Sequence, residues 1–214
     1  MKYILFDLDG TLVNSSLGIT RCFEYAFLKM GLTPPSAEEL FSCIGPPLLQ
    51  SFLKFFGGDR ERALQGVALY RERYKEEGWK ECSLYAGVEE CLKTFYEQGK
   101  VLALATSKPE IFAKKILSRF EIDKYFTVTV GSKLDNSFDD KSQIIQKAIT
   151  LLGAERENSA MVGDREQDIV GAKANGVLPV GIRVGFAREG ELELAGAAYI
   201  ARDFTELLKI LGNL

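Results

Sequence analysis

The fold that we predict follows from one stretch near the start of the chain, YILFDLDGTL at residues 3–12. Its first four residues form a short, continuous apolar run, which is typical of a strand buried on both faces of a parallel sheet. Asp7, Asp9 and Gly10 then end the run abruptly and predict a loop. Ligands bind beyond the carboxyl ends of the strands of a parallel sheet, so these two acids are candidates for a functional site.

Apolar runs predict further strands along the chain, at residues 101–105, 126–130, 160–162, 180–184 and, more weakly, 198–200. Apolar residues at helical spacing lie between most of these strands, at residues 88–95, 111–120, 144–152 and 169–174. Alternation of buried strands with helices indicates an α/β fold with right-handed crossovers. The sequence therefore predicts a Rossmann-like parallel sheet.

The segment between the first two predicted strands follows a different pattern, because residues 15–80 show helical spacing and no strand. Four helices are predicted there, from apolar stripes at 19–30, 48–56 and 63–74 and from a capping box formed by Ser36 and Glu39. The aromatic residues of these stripes are spaced for packing in a core rather than for stacking on a ligand. We predict a sheet core of residues 1–14 and 84–214, and an inserted four-helix cap of residues 15–83.

The composition excludes several classes of function. The chain of 214 residues has 27 Lys and Arg against 30 Asp and Glu, and this balance predicts neither a nucleic-acid partner nor a membrane partner. It contains no histidine, which excludes serine–histidine triads, histidine general bases and histidine-ligated zinc. The cysteines form no C-x-x-C pair and predict reduced thiols in a cytoplasmic protein. We expect a monomer or weak dimer.

Acids, hydroxyls and a lysine follow the predicted strands. They are Asp7 and Asp9 after the first strand, Thr106 and Ser107 after the second, Lys141 beyond the third, and Asp164 and Asp168 after the fourth. Because the strands are parallel, these residues are expected to meet at one edge of the sheet.

This series resembles the haloacid dehalogenase (HAD) superfamily, in its phosphatase branch with a helical cap inserted after the first motif. The matching motifs are Asp7-Leu8-Asp9-Gly10-Thr11-Leu12, Thr106-Ser107-Lys108, Lys141, and Gly163-Asp164-Arg165-Glu166-Gln167-Asp168. At ordinary residue frequencies, D-x-D-G-T arises by chance in roughly one window in 10⁵. The resemblance covers the whole chain and looks closest to phosphoglycolate-phosphatase-like and 5'-nucleotidase-like members.

The resemblance implies a role for each residue. Asp7 would be the nucleophile that forms an aspartyl phosphate, and Asp9 the general acid and then base. Lys141 would neutralise Asp7 and the phosphate, a role that fits its unfavourable place at a helix start. Thr106, Ser107 and Gly10 would bind the phosphate group.

The same resemblance implies a Mg²⁺ ion. Its ligands would be the Asp7 carboxylate, the Asp9 backbone carbonyl and Asp164, with Asp168 acting mainly through water. A hard cation also fits the charges. Each pair of negative charges, one on a carboxylate and one on the phosphate, repels by about 4 kcal/mol at ~4 Å and an effective dielectric of 20. The implied activity is the hydrolysis of a small soluble phosphate ester, such as phosphoglycolate or a nucleoside monophosphate.

Some alternatives remain open from the sequence. A phosphomutase shares the motifs, although Thr11 favours a phosphatase; a non-catalytic phosphate-binding module would be expected to have lost some of them. Asp9 argues against a dehalogenase. Asp168 could be a helix N-cap, Ser107 could form a capping box with Glu110, and Lys108 could be a solvated surface residue.

Overall fold

The computed structural model describes residues 1–134 and 140–214. The chain divides into two compact units. The sheet unit consists of Met1–Val13 and Leu84–Leu214, and the helical unit consists of Asn14–Ser83. In the described part of the chain, no helix has the length and apolar character needed to cross a bilayer.

The strands form a six-stranded sheet and a short two-stranded pair within the described residues. Their bounds are β1 Tyr3–Phe6, β2 Val13–Asn14, β3 Ser83–Leu84, β4 Val101–Pro109, β5 Phe126–Ser132, β6 Ser159–Gly163, β7 Leu178–Ile182 and β8 Tyr199–Ala201. The order in the large sheet is β5-β4-β1-β6-β7-β8, and its strands pair in parallel. The predicted α/β fold with a parallel sheet is therefore confirmed, and β1 lies at its centre.

The stretch that predicted the fold forms the strand and loop expected of it. Ile4, Leu5 and Phe6 are fully buried in β1, which pairs with β4 on one side and β6 on the other. The chain then turns sharply, because the Leu8 carbonyl accepts hydrogen bonds from the amides of the next turn, at Thr11, Leu12 and Val13. Gly10 has a φ of +81°, a left-handed conformation that glycine adopts without strain.

Helices of the sheet unit pack against its strands. Those of the sheet unit are α5 Val88–Glu97, α6 Glu110–Arg119, α7 Lys141–Leu152, α8 Glu166–Ala174, α9 Glu191–Ala195 and α10 Phe204–Gly212, and those of the helical unit are α1 Ser16–Lys29, α2 Ala37–Phe41, α3 Leu48–Phe55 and α4 Arg60–Glu76. The sequence analysis predicted neither α9 nor α10. The start of α10 is marked by an N-cap, since Asp203 accepts a hydrogen bond from the Glu206 amide.

Among the predicted boundaries that are wrong, the ends of β4 and β7 lie at the edge that carries the polar residues. Strand β4 continues to Pro109, where it still pairs with Ser132, so α6 begins at Glu110 and the expected capping box of Ser107 and Glu110 does not form. Strand β7 covers Leu178–Ile182 instead of 180–184. It ends early because the chain leaves the sheet to bring Gly185 and Phe186 against Asp164.

The helical unit is built on aromatic packing. The ring of Phe23 lies 4.8 Å from that of Phe52 and 5.0 Å from that of Tyr70, so α1, α3 and α4 share one core. These rings are buried, as predicted from their spacing. The capping box predicted for α2 is also confirmed, because Ser36 and Glu39 exchange backbone-to-side-chain hydrogen bonds in both directions.

Candidate active site

A buried lysine joins two of the predicted acids. Lys141, the first residue of α7, places its Nζ 2.7 Å from Oδ1 of Asp7 and 2.8 Å from Oδ1 of Asp168. The same ammonium donates to the Ala105 carbonyl of β4 at 3.0 Å. Asp7 follows β1 and Asp168 lies in the first turn of α8, so residues from separate strands and helices meet at the carboxyl ends of the strands.

Asp164 follows β6 and completes a group of three acids. A carboxylate oxygen from each of Asp7, Asp164 and Asp168 lies within 4.8 Å of the others, and all three residues are buried. Asp164 accepts hydrogen bonds from the Thr11 hydroxyl at 3.1 Å and from the Phe186 amide at 2.8 Å. Neither donor carries a positive charge that could balance a negative charge on Asp164.

The pKa values reflect this crowding of charge. Burial raises the pKa of Asp7 to about 6 against the opposing effect of the Lys141 ammonium, and the Asp168 carboxylate adds to the rise. Burial and the carboxylates of Asp168 and Asp7 raise the pKa of Asp164 well above its usual range. Burial would lower the pKa of Lys141, but the two carboxylates outweigh it and raise that pKa. Ionisation of all three carboxyl groups would therefore place more negative charge here than Lys141 alone can balance.

Asp9 belongs to a second pair. Its Oδ2 lies 2.6 Å from Nζ of Lys108, whose side chain is 4% exposed. The alternative interpretation of Lys108 as a solvated surface residue is therefore wrong. Within residues 1–134 and 140–214, Oδ1 of Asp9 is buried and has no hydrogen-bond partner.

The predicted phosphate-binding residues lie around this edge without joining the acids through their side chains. Thr106 is buried in β4, directly after the Ala105 carbonyl that binds Lys141, and its Oγ1 accepts a hydrogen bond from the Lys108 amide at 3.2 Å. Ser107 is half-buried beside it. Gly10 packs so closely on Asp164 that a Cβ at this position would overlap the carboxylate.

A half-buried glutamate, Glu191, supports the start of α8. The Arg165 amide donates to Oδ2 of Asp168 at 3.1 Å, so Asp168 caps its helix while its other oxygen pairs with Lys141. Glu191 accepts from Arg165 Nε at 2.8 Å, from the Glu166 amide at 2.9 Å and from the Arg188 amide at 3.0 Å. These bonds tie the loop that carries Phe186 to the helix that carries Asp168.

The sequence analysis missed the contribution of this loop. Gly185 approaches Asp164 and the Gly10 carbonyl so closely that any side chain there would overlap both. The signal was present, since a glycine follows the end of β7 just as polar residues follow the other strands. The predicted strand at 180–184 runs two residues past Ile182, where β7 ends, and so places the loop too late in the chain.

Comparison with known proteins identifies the family. The family model described as haloacid dehalogenase-like hydrolase matches residues 4–182, which include every residue of the acid and lysine group. The chain belongs to this family. It is 38% identical to a 5'-nucleotidase of Pseudomonas aeruginosa, over 97% of this chain and 94% of that protein.

Further similarities in the HAD family point the same way. A pyrophosphatase, PpaX, of Halalkalibacterium halodurans is 36% identical over 98% of this chain and 96% of its own. A crystal structure described as a predicted phosphatase from Clostridium acetobutylicum matches with a TM-score of 0.94 and 38% identity, covering 100% of this chain and 99% of that one. The protein is a HAD-family phosphatase, and these similarities support a phosphoric monoester hydrolase.

Proposed function

We propose that this protein is a Mg²⁺-dependent phosphatase that hydrolyses a small phosphate ester through an aspartyl phosphate on Asp7. The observation that carries the proposal is the ion pair of Asp7 and Lys141 in a buried group of acids. Asp7 is held at the end of β1 with one oxygen on the ammonium, which fixes its orientation for in-line attack on phosphorus. Lys141 neutralises the approach of the carboxylate to the phosphate dianion.

The first step forms a bond between a carboxylate oxygen of Asp7 and phosphorus while the bond from phosphorus to the ester oxygen breaks. Asp9 donates a proton to the departing oxygen, so the product leaves as an alcohol. In the second step Asp9 takes a proton from water, the water oxygen attacks phosphorus, and the Asp7 carboxylate is regenerated as phosphate leaves. Thr106 and the backbone of Ser107 and Gly10 are proposed to bind the phosphate oxygens.

The residues present fit a hard divalent cation. The group of Asp7, Asp164 and Asp168 offers buried carboxylate oxygens, which are the donors that Mg²⁺ prefers. Asp7, Asp164 and the Asp9 carbonyl would hold the ion, and Asp168 would act through water. When bound, it would neutralise charge on the phosphoryl group and on the acids.

Phosphate release from p-nitrophenyl phosphate tests the proposal. After treatment with EDTA and exhaustive dialysis we expect no turnover, and added Mg²⁺ should restore it. Ca²⁺ accepts larger and looser shells of oxygen ligands, so it should bind without supporting turnover and should inhibit. Mg²⁺ should also raise the Tm by mass action, and Asp164→Asn should remove that rise. Full activity in EDTA would contradict the role of the metal.

The relatives and the chain order support a proposal for the substrate class. The helical unit begins at Asn14, directly after the loop that holds Asp7 and Asp9, and we propose that it acts as a cap that admits small soluble esters. Nucleoside monophosphates and 2-phosphoglycolate are the favoured substrates. A panel that includes both, pyrophosphate and a folded phosphoprotein, ranked by kcat/KM, tests this. A phosphoprotein that matches the best small ester would contradict the proposed cap.

A further inference from the structure

Lys108, which forms an ion pair with Asp9, has no role in the steps above. Both side chains are largely withdrawn from water, with exposed fractions of 4% for Lys108 and 14% for Asp9, and their charged atoms lie 2.6 Å apart. Burying an ion pair costs desolvation free energy that the attraction rarely exceeds, so such a pair is weak evidence for a stabilising role. Its place beside the proposed proton donor suggests a functional reason.

Strand β4 is irregular where it carries Lys108. The pairing register of β4 with β5 shifts between Thr106 and Pro109. Such bulges re-aim side chains and are frequent next to active sites. The Lys108 amide donates to Oγ1 of Thr106, which fixes the backbone within this irregular segment. The lysine side chain is thus held by its own strand at the point from which it reaches Asp9.

The two oxygens of Asp9 are in different states. Lys108 occupies Oδ2, whereas Oδ1 is buried and, among the described residues, lacks a hydrogen-bond partner. A buried acceptor without a partner is unfavourable, because nothing replaces the hydrogen bonds that it makes to water in the unfolded chain. The attacking water could donate to this oxygen, and Oδ1 when protonated could donate to the oxygen of a bound ester. Lys108 therefore holds Oδ2 of Asp9, and Oδ1 remains available to a bound ester or water.

We propose that Lys108 is a positioning residue for proton transfer, which holds Oδ2 of Asp9 so that Oδ1 exchanges the proton with the leaving oxygen and then with water. This inference rests on the proposed function, because it assigns Lys108 to the acid–base step of that reaction. It differs from a role in binding the phosphate group, since a phosphate-binding lysine would act equally on every ester.

Leaving-group dependence separates these two roles. Alkyl phosphates need a proton on the departing oxygen, whereas p-nitrophenyl phosphate leaves without one. The variants are Lys108→Met, Asp9→Asn, the double variant and, as a matched control, Lys114→Met, which removes an exposed lysine paired with Glu110. Lys108→Gln retains a donor for Oδ2 without the charge and provides a second test if Lys108→Met does not fold.

We expect Lys108→Met to reduce kcat/KM for an alkyl phosphate about 100-fold and that for the nitrophenyl ester less than about tenfold. The double variant should lose no more alkyl-ester activity than Asp9→Asn alone, because the lysine acts through Asp9. Lys108→Gln should show the same preference in a milder form, and Lys114→Met should behave as the unsubstituted protein.

Equal losses for both esters, or losses that multiply in the double variant, would overturn the inference and assign Lys108 to phosphate binding. If Asp9→Asn shows the leaving-group dependence and both Lys108 variants lack it, the inference fails while the proposed function stands. An unsubstituted protein that releases no phosphate from any ester would overturn the proposed function, and the inference with it.

Discussion

The sheet unit and the helical unit bury different kinds of side chain. Within the described residues, the buried charged side chains all belong to the sheet unit, namely Asp7, Lys108, Lys141, Asp164 and Asp168. The core of the helical unit is aromatic and aliphatic. Its ion pairs are partly exposed, and in the pair of Arg73 with Glu81 about a fifth of each side chain is exposed. The sheet unit thus removes charged side chains from water, whereas the buried side chains described in the helical unit are uncharged.

This difference indicates which unit holds the candidate active site. Burial of apolar surface stabilises a fold, whereas burial of several charges costs free energy unless each is paired. Lys141 alone cannot balance three ionised carboxyl groups, and burial raises the pKa of both Asp7 and Asp164. Groups perturbed in this way cluster at functional sites. Substitutions in the two units should therefore separate turnover from stability.

The largest expected effect on turnover comes from Asp7→Asn. Loss of the nucleophile should lower kcat by about 10⁴-fold or more. The Tm should stay constant or rise, because one of three mutually repelling carboxylates is removed while Lys141 keeps Asp168 as a partner. Steady-state kinetics and thermal unfolding measure the two quantities.

Asp59→Asn is the matched control for that prediction. It removes a charge from an exposed N-cap of the helical unit and keeps an oxygen that can accept the hydrogen bond from the Arg62 amide. Its kcat should be unchanged. A variant Asp7→Asn that retains more than a few per cent of kcat would remove Asp7 from the role of nucleophile.

A smaller effect is expected from Gly185→Ala. The added methyl group would overlap both the Gly10 carbonyl and the Asp164 carboxylate, and must displace one of them. Displacement by about 1 Å at a catalytic group can cost about 100-fold, and we expect a loss of kcat/KM of that order. Gly212→Ala is the control, since a methyl group there meets nothing within 4 Å. Equal activity of both variants would show that the loop does not position Asp164.

The smallest effect on turnover, with a large effect on stability, is expected in the helical unit. Phe52 is fully buried between Phe23 and Tyr70, and Phe52→Ala should lower the free energy of unfolding by about 3–5 kcal/mol. In the molecules that remain folded, kcat for p-nitrophenyl phosphate should stay close to that of the unsubstituted protein. Urea unfolding and assays at low temperature test both parts. A fall in activity as large as that expected for Gly185→Ala would contradict the prediction that substitutions in the two units separate turnover from stability.

The sequence predicted the parts of this site that depend on local pattern. The apolar run before Asp7 defines β1, and the strand-end rule brought Asp164, Asp168 and Lys141 to the same edge. The parts that the sequence did not predict are contacts that loops make with other segments of the folded chain. Neither the 2.6 Å contact of Lys108 with Asp9 nor the bond from the Phe186 amide to Asp164 leaves a periodic signal, because each joins segments that are distant in the chain.

Local rules also failed where pairing overrode them. Ser107 and Glu110 have the spacing of a capping box, yet the pairing of Pro109 with Ser132 keeps that segment in β4. In the helical unit the same rule succeeded for Ser36 and Glu39, where no strand competes. In these two cases, the sequence rule for a helix start holds where strand pairing does not compete with the helix.

The central claim is that the buried acids serve a covalent phosphoryl transfer on Asp7, and the Asp9→Asn variant tests it most directly. With p-nitrophenyl phosphate the first step needs no proton from residue 9, whereas the second step still needs a base. We therefore expect a rapid burst of about one nitrophenolate per active site, followed by slow turnover. Acid quenching during the burst should place phosphate on the peptide that contains Asp7. Linear release without a labelled peptide, or phosphate on a different residue, would contradict the account.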